Sequence, residues 1–151
     1  MKEIINQISV NTVLHAAFFG WLSAQVLKTI IYIIVNKEFN SERLLGDGGM
    51  PSSHSATVMA MVVAVAHECG IASPMFGIAF VVAVIVMHDA MGVRRETGKQ
   101  AIAINNMLEY FEQIGKKPVE VQLKEFVGHS PFQVLMGAIL GIVVGCITCG
   151  M

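Results

Sequence analysis

Residues 12–35 read TVLHAAFFGWLSAQVLKTIIYIIV, and this stretch decides the fold. The hydrocarbon core of a bilayer is about 30 Å thick and takes roughly 20 mostly apolar residues in helical form. The run is long enough, and the polar side chains that interrupt it most conspicuously are Gln25 and Lys28. Lipid offers backbone groups no hydrogen-bond partners, so a segment of this kind folds as an α-helix. Three further apolar runs follow, at residues 55–67, 71–87 and 132–149. The first of these is short, the next begins after a break at Gly70, and Pro131 stands where a helix tolerates proline, in its first turn. The expectation is an all-α fold: a polytopic membrane helical bundle of about four transmembrane helices, making one integral membrane domain of residues 1–151.

Composition points the same way. Hydrophobic residues make up 54% of the 151 residues and charged ones 14%, against roughly 25% charged in ordinary soluble domains. A formal charge of -1 supplies no concentrated basic stripe, so no nucleic-acid partner is expected. The opening residues carry only Lys2 as a basic flank and no small-residue cleavage pattern, which does not read as a removed signal peptide. Cys69, Cys146 and Cys149 stand near the ends of apolar runs, a setting unlike a secreted disulfide framework. With His67 they have the chemistry of a zinc or redox site, although cysteines at span ends more often serve as small apolar fillers.

Between the third and fourth runs lies a polar stretch, residues 92–130, part of which (101–114) has helical spacing. Ala101, Ile104, Leu108 and Phe111 fall on one face, and Asn105, Glu109, Glu112 and Lys116 on another. This predicts an amphipathic helix near the membrane surface, its apolar side covered by lipid or by the bundle. Four spans put the loops 36–50 and 92–130 on one side and both termini on the other. Lys37, Arg43, Arg94, Arg95, Lys99, Lys116, Lys117 and Lys124 all belong to those two loops. The positive-inside bias makes that side cytoplasmic, in a plasma membrane of bacterial type.

The same side collects the residues that carry chemistry. A cation inside a span costs roughly 2.5–3.5 kcal/mol on insertion scales, so Lys28 either snorkels to the interface or serves a site. Gly48-Gly49-Met50-Pro51-Ser52-Ser53-His54-Ser55 introduces the second run with glycines and hydroxyls ahead of a helix start. Such a start presents backbone N–H groups and the positive end of the helix dipole to an anion. One serine is explained by helix capping; His54 is not. The third run ends in His88-Asp89-Ala90-Met91-Gly92-Val93-Arg94-Arg95, and guanidinium groups match phosphate oxygens, although an arginine pair beside a span is also a topology signal. The fourth run opens Gly128-His129-Ser130-Pro131-Phe132-Gln133. Two histidines with several cationic donors at one end of a bundle suit phosphoryl transfer, one imidazole attacking phosphorus and the other protonating the leaving oxygen.

The segments Gly49-Met50-Pro51-Ser52-Ser53-His54-Ser55-Ala56 and Gly128-His129-Ser130-Pro131-Phe132-Gln133-Val134, with Gly137 and Gly141, resemble the type 2 phosphatidic acid phosphatase superfamily, which also holds vanadium haloperoxidases and bacterial acid phosphatases. Asp89-Ala90, Gly92-Val93-Arg94-Arg95 and Gly98-Lys99-Gln100-Ala101 look like its divergent membrane branch, and the likeness covers most of the chain. The resemblance implies that Lys28, Ser52 and the Ser53 backbone bind phosphate, that His54 is the general acid and that His129 forms a phosphohistidine. Arg94 or Arg95 would stand for the arginine of the third motif. It implies no metal and no cofactor.

The chain departs from that pattern at four places. Val35 stands where the first motif has arginine, unless Arg43 replaces it; Ser53 stands for glycine; Leu123 stands six residues before His129, where an arginine is usual; and Gln133 occupies the position of the aspartate that orients the nucleophile. A neutral amide stabilises a developing imidazolium less than a carboxylate does. Asp89, Glu96 and Glu125 are the carboxylates able to substitute. The functional expectation is a membrane phosphatase acting on a lipid phosphate or diphosphate. A non-catalytic phospholipid or anion binder, acting as scaffold or regulator, is the alternative, with a transporter behind it. Gly137, Gly141 and Gly145 repeat at four-residue intervals and permit close helix packing, either within the chain or against a second copy in a homodimer.

Overall fold

The computed structural model describes residues 1–38, 49–115, 123 and 128–151, with only the backbone of Val93 and Arg94 described. Arg43, Lys116, Lys117, Lys124 and Glu125 lie outside the described residues. Among the described residues the secondary structure is helical: α1 (Lys2–Ser9), α2 (Thr12–Asn36), α3 (Ser53–Cys69), α4 (Pro74–Met91), α5 (Val93–Gln113) and α6 (Pro131–Thr148). The starts of α2, α3, α4 and α6 follow capping chemistry. Asn11, Ser52, Ser73 and Ser130 each accept a hydrogen bond from a first-turn N–H with their side chains, and proline opens both α4 and α6.

Among the described residues three runs are long and apolar enough, by length and composition, to cross a membrane: Thr12–Asn36, Pro131–Thr148, and Pro74–Gln113, which joins α4 to α5. The 17 residues of α3 rise only about 26 Å. This helix is enclosed by α2, α4 and α6, all of which pack against it. The expected bundle therefore consists of three long apolar helices around an inner one. Burial is inverted relative to a water-soluble protein. The buried side of α3 consists of Ser53, Ser55, Ala56, Val58, Ala60, Val62, Ala64 and Val65. Large apolar side chains such as Phe18, Leu27, Ile30, Val81, Ile85, Leu135 and Ile142 face outward. In lipid, outward apolar surface costs nothing, and association comes from close packing of small residues.

Glycines set that packing. A Cβ on Gly20 of α2 would sit 2.7 Å from the Ala56 carbonyl oxygen, and one on Gly141 of α6 would also fall inside 3.0 Å of that atom. Helix α3 is thus gripped at Ala56 from two sides by helices without side chains at the contact. Gly137 meets Ser52 and Ser55, Gly141 meets Ala56 and Met59, and Gly145 meets Ala60 and Val63, so α6 runs parallel to α3 in register. The partner of the glycine stripe is α3 of the same chain. Gly20 lies against Ala56 and Ala60 while Gly49 lies against the Lys28 side chain, so α2 runs antiparallel to α3. The C-terminal end of α2 and the N-terminal ends of α3 and α6 consequently share one end of the bundle.

Two elements differ from the sequence expectation. Helix α1 precedes the first apolar run; Ile4, Ile5 and Ile8 are exposed along it. Helix α5 begins at Val93, eight residues ahead of the expected start at 101, because Gly92 breaks α4 for a single residue and the chain resumes helix at once. Its buried line is Gly98, Ala101 and Asn105, whereas Ile104 and Phe111 are exposed. Asn105 therefore moves from the polar face to the buried one. Its amide donates to the Leu123 carbonyl at 2.9 Å and accepts from the Leu123 N–H at 3.1 Å, and two satisfied bonds make its burial tolerable.

Substituting Gly141→Ala should lower the thermal midpoint of the detergent-solubilised protein, by an amount equivalent to about 1–3 kcal/mol of overpacking. At Gly77 an added Cβ would meet nothing within 4 Å, so alanine there should leave the midpoint unchanged or slightly raised.

Candidate functional site

The shared end of the bundle carries two helix starts side by side. The Ser52 N–H donates to the Gln133 carbonyl at 3.1 Å, which ties the first turn of α3 to the first turn of α6. The His129 N–H donates to the Ala90 carbonyl at 3.0 Å, which ties the residues before α6 to the last turn of α4. With these two backbone bonds in place, the rings of His54 and His129 stand 6.1 Å apart, centroid to centroid, tilted by 58°. His129 is buried and His54 half-buried. The two imidazoles are therefore neighbours at this end of the bundle, and their chemistry, a nucleophile and a proton donor, is that of general acid–base and nucleophilic catalysis.

The serines divide their work. Ser52 is fully buried; its hydroxyl oxygen accepts from the Ser55 N–H at 3.4 Å and from the Ser55 hydroxyl at 3.1 Å. Its visible role is to cap α3. Ser53 and His54 are the first two residues of that helix, whose N–H groups the helical ladder leaves unused. They line a cleft of about 420 Å³ together with Trp21, Gln25, Thr57, Val58 and Val86. This is where the dipole of α3 and its N–H groups favour an anion.

Lys28 is 4% exposed, and the Gly49 backbone packs on its aliphatic stem, 3.3 Å from Cγ to an added Cβ. It lines a separate, smaller cleft of about 160 Å³ with Tyr32, Asn36, Gly49 and Met50. The cation is therefore held inside the bundle and does not lie along the lipid-facing side of α2, which argues against simple snorkelling. Asp89 is half-buried in the last turn of α4, next to the Ala90 carbonyl that anchors His129. Arg94 and Arg95 lie in the first turn of α5, and the Arg95 side chain is exposed. These contacts bring His54, His129, Ser53 and Gln133 together; they do not seat Arg95 against the histidines.

Gln133 has a structural duty. Its side-chain oxygen accepts from the Ser130 N–H at 3.0 Å while Ser130 Oγ accepts from the Gln133 N–H at 3.3 Å, forming a capping box at the start of α6. The amide oxygen is thus spent on the helix start. Gln25 is absent from the phosphate-site residues that the sequence suggests. It is 5% exposed, faces the cleft beneath His54, and its Oε1 has no hydrogen-bond partner among the described residues. The one signal in the sequence is its polarity within an apolar run. At the opposite end of the bundle, Cys69 and His67 are exposed. Burial, with the nearby Glu68 carboxylate and Cys146 adding to it, raises the Cys149 thiol above its usual range and keeps it protonated at neutral pH. Among the described residues no three His, Cys, Asp or Glu side chains converge as a metal site.

Residues 9–144 match the family described as Divergent PAP2 family. The chain belongs to that family. It is also 36% identical over 146 residues to a Bacillus subtilis (strain 168) protein described as "Uncharacterized membrane protein YuiD", covering 90% of this chain and 92% of that one. No solved structure gives a significant match. For this Divergent PAP2 family member, membership fits an integral membrane protein related to the phosphatidic acid phosphatases, as the motifs around His54 and His129 imply.

Removing the Gln133 side chain should destabilise the start of α6. Gln133→Ala is expected to cost about 0.3–1.5 kcal/mol, read as a lower thermal midpoint, whereas Gln133→Glu, able to accept the same Ser130 N–H, should remain close to the parent.

Proposed function

We propose that the protein is a membrane phosphatase that hydrolyses a lipid phosphate or diphosphate through a phosphohistidine on His129. The observation that carries this reading is the 6.1 Å separation of the rings of His129 and of His54, the latter lining a cleft together with the first turn of α3. His129 attacks phosphorus, His54 protonates the leaving alkoxide, and water then releases phosphate from the phosphohistidine with His54 acting as base. The N–H groups of Ser53 and His54 and the dipole of α3 stabilise the equatorial oxygens. Lys28, Arg94 and Arg95 contribute positive charge at the same end, and Ser52 fixes the helix start that presents the donors. Asp89, beside the His129 anchor, takes the orienting role that Gln133 cannot take while it caps α6.

Location supports a lipid substrate. The site lies where apolar helices end, so a headgroup reaches it while its chains stay in the bilayer. The concentration of Lys37, just past α2, and of Arg94, Arg95 and Lys99, at the start of α5, at that end favours the cytoplasmic face, in a plasma membrane of bacterial type. One observation favours a second reading, a phospholipid or anion binder without turnover: the residue at the usual orienting position is an amide already engaged at a helix cap.

Purified protein in mixed micelles should release inorganic phosphate from a panel of phosphatidate, lysophosphatidate and polyprenyl phosphates or diphosphates. His129→Ala should abolish release and the acid-labile phosphoprotein. His54→Ala should slow it by about 10²–10⁴-fold, with much of the loss recovered on an aryl phosphate whose leaving group needs no proton. Absence of release across the panel, with lipid phosphate still bound, supports the binder.

A further inference from the structure

The cleft below His54 has an ordered wall. On α2, Trp21 and Gln25 line it one turn apart, Gln25 nearer the site end; on α3, His54 is followed one turn deeper by Thr57 and Val58. Because α2 and α3 are antiparallel, Gln25 stands level with the first turn of α3, and Trp21 one turn farther into the apolar zone. Val86 of α4 completes the lining. The wall is apolar apart from Ser53, His54, Thr57 and Gln25. Thr57 already donates its hydroxyl to the Ser53 carbonyl at 2.7 Å.

Gln25 is different. Thr29 one turn on donates its hydroxyl to the Gln25 main-chain carbonyl at 2.8 Å, a bond within the helix that does not involve the Gln25 side chain. The side chain is nine-tenths buried, borders the cleft, and its carbonyl oxygen lacks a donor among the described residues. A buried amide oxygen in an apolar setting is costly to leave unsatisfied, so a molecule occupying the cleft is favoured when it brings an O–H to that point. We propose that Gln25 is a specificity-determining residue that accepts a hydrogen bond from a free hydroxyl on the organic part of the lipid phosphate, close to the phosphate ester. The inference rests on the proposed binding of a lipid phosphate beside His54, but not on its hydrolysis. It selects hydroxyl-bearing headgroups or linkers, as in a monoacylated glycerol phosphate, over phosphates of polyprenols, which carry no such donor. Trp21, Val58 and Val86 then receive the first carbons of the chain.

The test uses a pair of non-hydrolysable alkyl phosphonates of equal chain length, one carrying a hydroxyl close to the phosphonate group and the other a hydrogen at that position. Binding is measured by displacement of a fluorescent lipid phosphate from the detergent-solubilised full chain. The parent protein should bind the hydroxylated phosphonate about tenfold more tightly. Gln25→Met, which keeps length and apolar bulk, should bring the two affinities together while orthovanadate binding stays as in the parent. Equal affinities in the parent, or a preference that survives Gln25→Met, overturns the proposal. If Gln25→Met does not fold, the parent comparison alone decides. Failure to bind either phosphonate overturns both this proposal and the lipid-phosphate site, whereas a hydroxyl preference in a protein that releases no phosphate removes only the phosphatase reading.

Discussion

The contact between α3 and α6 governs everything else at the site end. Gly137 has no side chain, so α6 settles directly on the Ser52 carbonyl, and the Ser52 N–H reaches the Gln133 carbonyl at 3.1 Å. A larger residue at 137 or 141 would hold the two helix starts apart. With them in contact, two histidines that are far apart in the chain become ring neighbours. In lipid, where apolar surface gains nothing by hiding from more apolar surface, this close fit of backbone on backbone substitutes for the hydrophobic drive of a soluble core. The same logic places Gly20 on the other side of Ala56, so the inner helix is fixed from both sides.

That packing explains why the polar residues of α2 tolerate their position. Lys28 and Gln25 point inward, where α3 and the Gly49 turn surround them, while Leu27 and Ile30 meet lipid. An inward cation or amide in a membrane helix is expensive and is generally found where function requires it. The two residues belong to different clefts, Gln25 beneath His54 and Lys28 beside Tyr32 and Gly49. Charge and specificity are in this way carried by neighbouring turns of one helix.

Much of this is legible in the sequence. The apolar runs mark the long helices within a few residues, since length and hydropathy are what the bilayer reads. The histidines, the Ser52-Ser53 helix start and the Pro131 helix start are visible because capping and anion binding use recognisable residue types at fixed offsets. Other features depend on partners distant in the chain. Asn105 reads as a surface residue of an amphipathic helix until Leu123 supplies both of its hydrogen bonds. Gln133 reads as a weakened catalytic position, and the capping box shows a local reason for an amide there. The short α1 lies outside the hydropathy argument, and α5 begins early because one glycine suffices to separate it from α4. The arginines are the least legible residues, since their reach depends on side-chain path and not on spacing.

The central claim is that His54 and His129 engage one phosphoryl group from two sides. An experimental structure of the protein with bound orthovanadate tests this most directly. The account predicts vanadium bonded to the His129 imidazole, an apical oxygen within hydrogen-bonding reach of His54, and equatorial oxygens facing the first N–H groups of α3. Vanadate bound away from both rings, or held only by the Lys28 cleft with the histidines uninvolved, would contradict it.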